Sequence, residues 1–273
     1  MTSSMLETSN VQSCPLCGAA GGRRWRGSEF LACWSCSVVF RSSPVQPEDL
    51  SAKYEESWGD AEANVAETGS TDRILARIYA ERMKASLGLA DFRGMSILEV
   101  GAGKGAMALE LESLGATVWA VEPYGYAELK ALGVKVVRDE SELPRALRFD
   151  GILGMQVIEH LPTPGARLSR LRPLLVDGGW ILLSTPNRSG LNARLAGGRW
   201  REAQKSTHLL LFDECSLRRL LEGAGYSEFR RLQWHHGYGR SGLRGCLPYA
   251  LQSVRLDGEL TALAYSRGKN SAA

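Results

Sequence analysis

From residue 93 onward, short apolar runs alternate with stretches that carry Leu and Ala at helical spacing. The runs are SILEV (96–100), TVWAV (117–121), VKVV (134–137), FDGILGM (149–155) and WILLS (180–184). This alternation predicts an α/β fold, a parallel sheet with helices on both faces. A helix is predicted over DECSLRRLLEGAG (213–225), a sixth strand over FRRLQWHH (229–236) and a last strand over ELTALAYSR (259–267). Upstream, Ile74, Leu75, Ile78, Met83 and Leu87 recur at near-helical spacing between Thr71 and Leu89, with Gly88 as the stop. That amphipathic helix would pack on the sheet or cover its ligand. Residues 42–60 read as a linker passing into helix.

Composition adds bounds. With 44% hydrophobic and 23% charged residues in 273, the chain suits one large folded domain plus an attachment. No apolar run reaches the roughly 18 residues of a membrane span, and MTSSMLETSNVQS lacks the basic start and apolar block of a secretory signal. The expectation is a cytoplasmic protein with no membrane partner. A net charge of +3, from 33 basic and 30 acidic residues, is too small to argue for a nucleic-acid partner.

A reducing compartment disfavours disulfides, so paired cysteines there read as metal ligands or redox centres. Cys14, Cys17, Cys33 and Cys36 form C-x2-C-x15-C-x2-C, the spacing of a four-cysteine zinc ribbon. A redox motif would be one isolated pair beside a βαβ unit. Four thiolates fill the coordination sphere, so the expected zinc is structural. Arg23, Arg24, Trp25 and Arg26 lie between the pairs, where they could grip a phosphate or stack on a base, or form a solvated loop. The organisation that follows is a zinc ribbon at 1–45, a linker and helical cover at 46–92, and a sheet domain at 93–273.

Candidate chemistry begins with LEVGAGKGAMALELESLGATVWAVEP. Gly101, Gly103 and Gly105 follow a strand and precede a helix, which lets backbone approach a ligand at the helix N-terminus. Their G-x-G-x-G spacing is one residue short of a dinucleotide loop. Glu99 would repel a pyrophosphate and suit a ligand carrying an ammonium or sulfonium. Glu122 closes the second strand, where an acidic side chain can accept both ribose hydroxyls. Ribose plus positive charge points to S-adenosylmethionine, with a nicotinamide enzyme as the competing reading.

The pattern resembles the Rossmann-like (class I) S-adenosylmethionine-dependent methyltransferases, with Glu99, Gly101, Ala102, Gly103, Gly105, Glu122 and Pro123 in the expected places. The likeness runs from about Met95 to Pro186 and implies a seven-stranded sheet, the last strand completing an antiparallel edge. It also implies that Asp139 faces the adenine amine, although DESEL reads equally as a solvated helix start. GMQVIEHLPTP is similar to the post-strand motif of ubiquinone-biosynthesis O-methyltransferases and their small-molecule relatives, which would lay Gln156 and Val157 against the cofactor and His160 near the acceptor. Such relatives can hold a divalent ion on two carboxylates and this histidine. Glu159 and His160 match, but Gln156 stands in place of the first carboxylate.

Methyl transfer from a sulfonium requires in-line approach, and a hydroxyl acceptor must also lose its proton, which gives a base of near-neutral pKa a role. His160, as base or positioning residue, and His208 are the candidate catalytic histidines. In RWREAQKSTHLLLFD, within an insertion at about 188–213, Trp200, His208 and Phe212 correspond to a Trp and His-x-x-x-Phe element that walls the acceptor pocket in related enzymes. Aromatic residues there would equally anchor the insertion to the core. His235 and His236 follow the sixth strand and read as solvent-facing strand-end residues. The expected activity is methylation of a small molecule, at a hydroxyl first. Nitrogen or carbon of a small molecule or sugar, a ribosomal-RNA base, or a non-catalytic cofactor- or partner-binding role are the alternatives.

Overall fold

The structure is a computed structural model and describes residues 13–43, 51–53, 69–234 and 256–266. Most of the 42–60 linker, and His235 and His236, lie outside the described residues. Three short strands, β1 (Gly22–Arg24), β2 (Phe30–Cys33) and β3 (Val39–Arg41), form an antiparallel meander at the front. Then come α1 (Gly69–Leu87), β4 (Ser96–Val100), α2 (Ala106–Ser113), β5 (Thr117–Val121), α3 (Tyr126–Ala131), β6 (Lys135–Val137) and β7 (Phe149–Met155). The chain continues through α4 (Pro164–Leu171), β8 (Leu175–Pro186), α5 (Leu191–Ala196), α6 (Arg201–Gln204) and β9 (Leu210–Leu211). It closes with α7 (Glu214–Gly223), β10 (Tyr226–Leu232) and β11 (Glu259–Ser266). No described helix is long and apolar enough to cross a membrane.

The large sheet has the order β10-β11-β8-β7-β4-β5-β6, with β8 to β6 parallel and β11 antiparallel to both neighbours. Central strands covered on both faces lose their period-two pattern, which is why SILEV and WILLS read as continuous apolar runs. Leu98, Ile152, Ile181 and Leu183 join Leu168 of α4 and Leu217 of α7 in one buried cluster. Ile97, Leu153 and Leu182 join Met83 of α1 and Leu111 of α2 in another. Gly151 is obligatory between them, because a Cβ there would sit 2.1 Å from the Trp180 ring. Strand order reverses between β7 and β4, so their carboxyl ends frame the ligand crevice.

One expectation changes, and two strand pairings add to the others. The buried face of α1 is Ala76, Ala80 and Met83, while Ile74 is exposed. Small side chains let this helix lie close on α2, where Met107, Ala108 and Leu111 are buried with them. The last strand, β11, completes the antiparallel edge as expected, paired between β8 and β10. Apolar β11 lies inside, and β10, whose outward positions carry Glu228 and Arg230, takes the edge where charge discourages further pairing.

The front meander, finally, is extended by the insertion. Its fourth strand is β9, from the insertion, paired with β3 as Val39↔Leu211 and Phe40↔Leu210. Trp25, Phe30 and Val39 share a core with Trp200, Ala203 and Leu211. The Arg41 guanidinium donates to the carbonyls of His208 and Lys205, each at 2.8 Å. Pairing with β9 covers an edge that a three-stranded ribbon would leave open.

Candidate active site

The turn after β4 is built from three glycines at φ 71°, 52° and 77° (Gly101, Gly103, Gly105), a left-handed backbone that L side chains rarely adopt. A Cβ on Gly101 would stand 2.5 Å from Val157 Cγ2, so the glycine loop and the loop after β7 pack in direct contact. Glu122, buried at the end of β5, ties the same turn down. One carboxylate oxygen accepts from the Gly103 N–H at 3.0 Å, and the other accepts from the Tyr124 and Gly125 N–H groups at 3.0 and 3.4 Å.

Glu99 lies beneath the loop, 3% exposed, with one carboxylate oxygen lacking any partner. Burial, and secondarily the charge of Glu122, push its pKa up to about 8, against a backbone hydrogen bond from Ala108. A buried acceptor without a donor is costly. It marks a place that a cationic or hydrogen-bonding ligand group would satisfy.

Past β7, Gln156 is held at φ 56° by its N–H on the Ser184 carbonyl (3.0 Å) and its side-chain amide on Ser184 Oγ (3.2 Å). The following 3-10 turn, Ile158–His160, carries Glu159 and His160. Glu159 is 1% exposed; one oxygen accepts from Thr185 Oγ1 at 3.0 Å and the other has no partner. Burial pushes its pKa up to about 8. His160 Nδ1 lies 2.9 Å from the Thr207 carbonyl, which can only accept, so Nδ1 carries the hydrogen and Nε2 is the basic nitrogen. Burial also lowers the His160 pKa.

His208 packs edge-on against His160, ring centroids 4.7 Å apart. It is 2% exposed, its Nδ1 has no partner, and burial, with His160 adding to it, brings its pKa down to about 3. One ligand atom from each of Glu159, His160 and His208 lies within 4.8 Å of the others.

The second cluster is the cysteines. Sγ atoms of Cys14, Cys17, Cys33 and Cys36 all lie within 4.8 Å of one another, and the Cys14–Cys36 and Cys17–Cys33 pairs are each 3.5 Å apart. A tetrahedral ion with bonds of about 2.3 Å needs sulfurs about 3.8 Å apart. Backbone N–H groups of Leu16 and Ser35 point at Cys14 and Cys33 Sγ, both at 3.4 Å. The four thiols therefore fit one metal ion.

Comparison with known proteins decides the family. The Methyltransferase domain family matches residues 71–227, more than half of the chain. The chain belongs to the class I S-adenosylmethionine-dependent methyltransferases. The ubiquinone biosynthesis O-methyltransferase of Dinoroseobacter shibae is 31% identical over 172 residues, covering 56% of this chain and 68% of that protein. Its counterpart in Cereibacter sphaeroides is 32% identical over 151 residues, 50% of this chain and 61% of that protein. Solved structures share the fold. The 1,6-didemethyltoxoflavin-N1-methyltransferase of Burkholderia thailandensis, with bound 1,6-didemethyltoxoflavin and S-adenosylhomocysteine, superposes with a TM-score of 0.51 at 18% identity, covering 88% of this chain and all of that one (100%). The magnesium protoporphyrin IX methyltransferase of Synechocystis PCC 6803 gives 0.53 at 13% identity, covering 81% and 100%.

In this methyltransferase the glycine loop packs on Val157 and is tied to Glu122, with Glu99 near the end of β4 and Gln156 on the turn after β7. Pro123 is beside it, its carbonyl accepting from Arg138 at 2.8 Å. Asp139 caps a 3-10 turn by accepting from the Ser141 N–H at 3.0 Å, which is the helix-start geometry. The three residues expected to wall an acceptor pocket are separated. Trp200 is 7% exposed in the ribbon core, Phe212 is fully buried in the main core, and His208 stands behind His160. Trp200 and Phe212 are thus buried in two different cores and pack the insertion against the ribbon and the sheet. Thr185, Thr207 and Arg41 hold the site from elsewhere in the chain and carry no local sequence signal.

Proposed function

We propose that this methyltransferase methylates a hydroxyl oxygen of a small molecule, with His160 receiving the hydroxyl proton on Nε2. The observation that carries this reading is the placement of His160. Its imidazole sits on the turn after β7, the strand next to the glycine loop, in a tautomer set by the Thr207 carbonyl. The relatives named as O-methyltransferases support oxygen as the acceptor atom.

S-adenosylmethionine, when bound, supplies a methyl group on a sulfonium whose departure needs no proton. Gly101, Ala102, Gly103 and Gly105 would bring backbone against it, Glu122 and Pro123 would flank the ribose, and Glu99 would offer its unpartnered oxygen to the cationic end. Gln156 and Val157 would close the crevice, and Asp139 would lie at its adenine end. Most of the rate advantage would come from alignment, with proton transfer to His160 adding to it. His208, shielded from solvent, acts as a positioning residue that packs His160 in place.

The unpartnered oxygen of Glu159 and Nδ1 of His208 favour a second reading, in which Glu159, His160 and His208 hold a divalent cation. Neutral imidazoles are the ligand form, and such an ion would lower the pKa of an acceptor hydroxyl. The cysteine cluster, in turn, holds structural Zn2+.

Titration calorimetry with S-adenosylmethionine tests the cofactor site: binding by the wild type and its loss in Glu122→Ala are expected. Transfer of labelled methyl to a panel of hydroxylated and amine-bearing small molecules, with and without a chelator, tests the rest. A hydroxyl acceptor whose turnover in His160→Ala recovers as pH rises supports the base. Turnover confined to amines sinks the oxygen assignment, and loss on chelation that Mg2+ restores selects the metal.

A further inference from the structure

The ribbon and the two ends of the insertion line an open, solvent-facing cavity of about 890 Å³ that none of the methyl-transfer machinery lines. Its size lies within the range of small-molecule sites. Arg23, Arg24, Arg26 and Arg188 line it, with the Trp34 indole and a single carboxylate, Asp213, which is already paired with Arg188. Three guanidiniums therefore face the cavity without a carboxylate partner among the described residues. Guanidinium stays charged at any physiological pH, so the space is permanently electropositive.

The walls are built. The Arg26 Nη1 donates to the Arg194 carbonyl at 2.7 Å and Arg24 Nε to the Ser28 carbonyl at 3.2 Å, which aims both guanidiniums while leaving each further N–H donors. Arg188 donates to the Ser37 carbonyl at 2.9 Å, and its Nε is buried without a partner. Arg26 and Ser37 are two of the four described non-glycine residues with positive φ, a conformation that clusters at ligand sites. Trp34, 69% exposed, stands on the Cys33–Cys36 knuckle and presents its indole to the cavity.

We propose that this cavity binds a nucleoside-diphosphate type of anion, its phosphates on Arg23, Arg24 and Arg26 and its base on the Trp34 indole. Guanidinium forks match phosphate oxygens, and an exposed indole offers a stacking face to any base. The volume of about 890 Å³ and the net charge of only +3 favour a small nucleotide over a long polyanion. The inference is independent of which acceptor atom is methylated.

Titration calorimetry of the full chain at low salt tests it, with S-adenosylhomocysteine present to fill the adenosine crevice. UDP, pyrophosphate, uridine and a short single-stranded RNA are the probes. UDP is expected to bind best, pyrophosphate more weakly and uridine not at all. Arg23→Ala/Arg24→Ala should weaken UDP about tenfold or more. Trp34→Ala should weaken UDP about fivefold and leave pyrophosphate unchanged. All three side chains are exposed, so the fold is not at stake. Absent binding of UDP, or UDP affinity unchanged in the double arginine variant, overturns the proposal. RNA bound far more tightly than UDP overturns it in favour of a nucleic-acid face, and equal loss of UDP and pyrophosphate in Trp34→Ala overturns the stacking.

Discussion

Gly101→Ala probes the contact on which the crevice is built. An added Cβ meets Val157 at Cγ2 (2.5 Å) and Cγ1 (3.4 Å), and the backbone must hold φ 71°. The left-handed backbone costs about 1–2 kcal/mol for an L residue, and the overlap with a stiff β-branched side chain costs about 1–3 kcal/mol. Gly101→Ala should therefore destabilise by about 2–5 kcal/mol, with weaker cofactor binding as the loop shifts. The two contributions separate in a double-mutant cycle. Val157→Ala alone removes two half-buried methyls for about 1 kcal/mol. In the double variant the nearest remaining Val157 atom, Cβ, is 3.5 Å from the new methyl, ordinary contact, so only the backbone cost persists. Urea unfolding should show a double variant less destabilised than the two singles combined by about 1–3 kcal/mol. Additive singles, or a Gly101→Ala protein within about 0.5 kcal/mol of wild type, would refute the claim that the two loops pack through this glycine.

Two further expectations concern charge and metal. Burial pushes the Glu99 pKa up to about 8 in the folded chain, so below about 4.5 the carboxyl is neutral folded or unfolded and adds no pH dependence, and its ionisation opposes folding as pH rises through the window from about 4.5 to 8. Across that window Glu99→Gln should gain on the wild type by up to about 1.4 kcal/mol per pH unit in cofactor-free unfolding, and a flat difference counts against the buried, unpartnered carboxyl. Because the ribbon shares β9 and a core with the rest of the molecule, removal of bound metal by a chelator should lower the melting temperature of the whole protein in one transition. Metal analysis should find zinc at a single equivalent, and a separate low-temperature step that leaves the sheet intact would show a detachable ribbon instead.

The glycine loop, Glu99, Glu122 and the Gln156–Val157 turn were legible because their roles rest on local backbone geometry. A left-handed turn between a strand and a helix needs glycine, and a strand end fixes where the next side chain points. The cysteine cluster was legible for a similar reason, since two knuckles with spacing suited to one ion bring four sulfurs together. Trp200 and Phe212 show where this logic stops. Both are large and aromatic, a pattern equally suited to a pocket wall and a buried anchor, and their burial at 7% and 0% exposure emerges only in the folded chain.

By itself the sequence determined the order of strands and helices, the parallel sheet and the crevice at its strand ends, because apolar periodicity reports burial and backbone type along a segment. Tertiary structure decided which segments meet. The face of α1 that packs is the one with small residues, because α2 approaches closely. Strand β10 takes the edge because its charges can stay in water, whereas apolar β11 is buried along most of its length. β9, two residues long, carries no periodicity at all, yet it completes the ribbon sheet and, with Arg41, fastens the segment that sets His208 against His160. Pairing between residues some 170 positions apart is a property of the packed chain, and no local pattern encodes it.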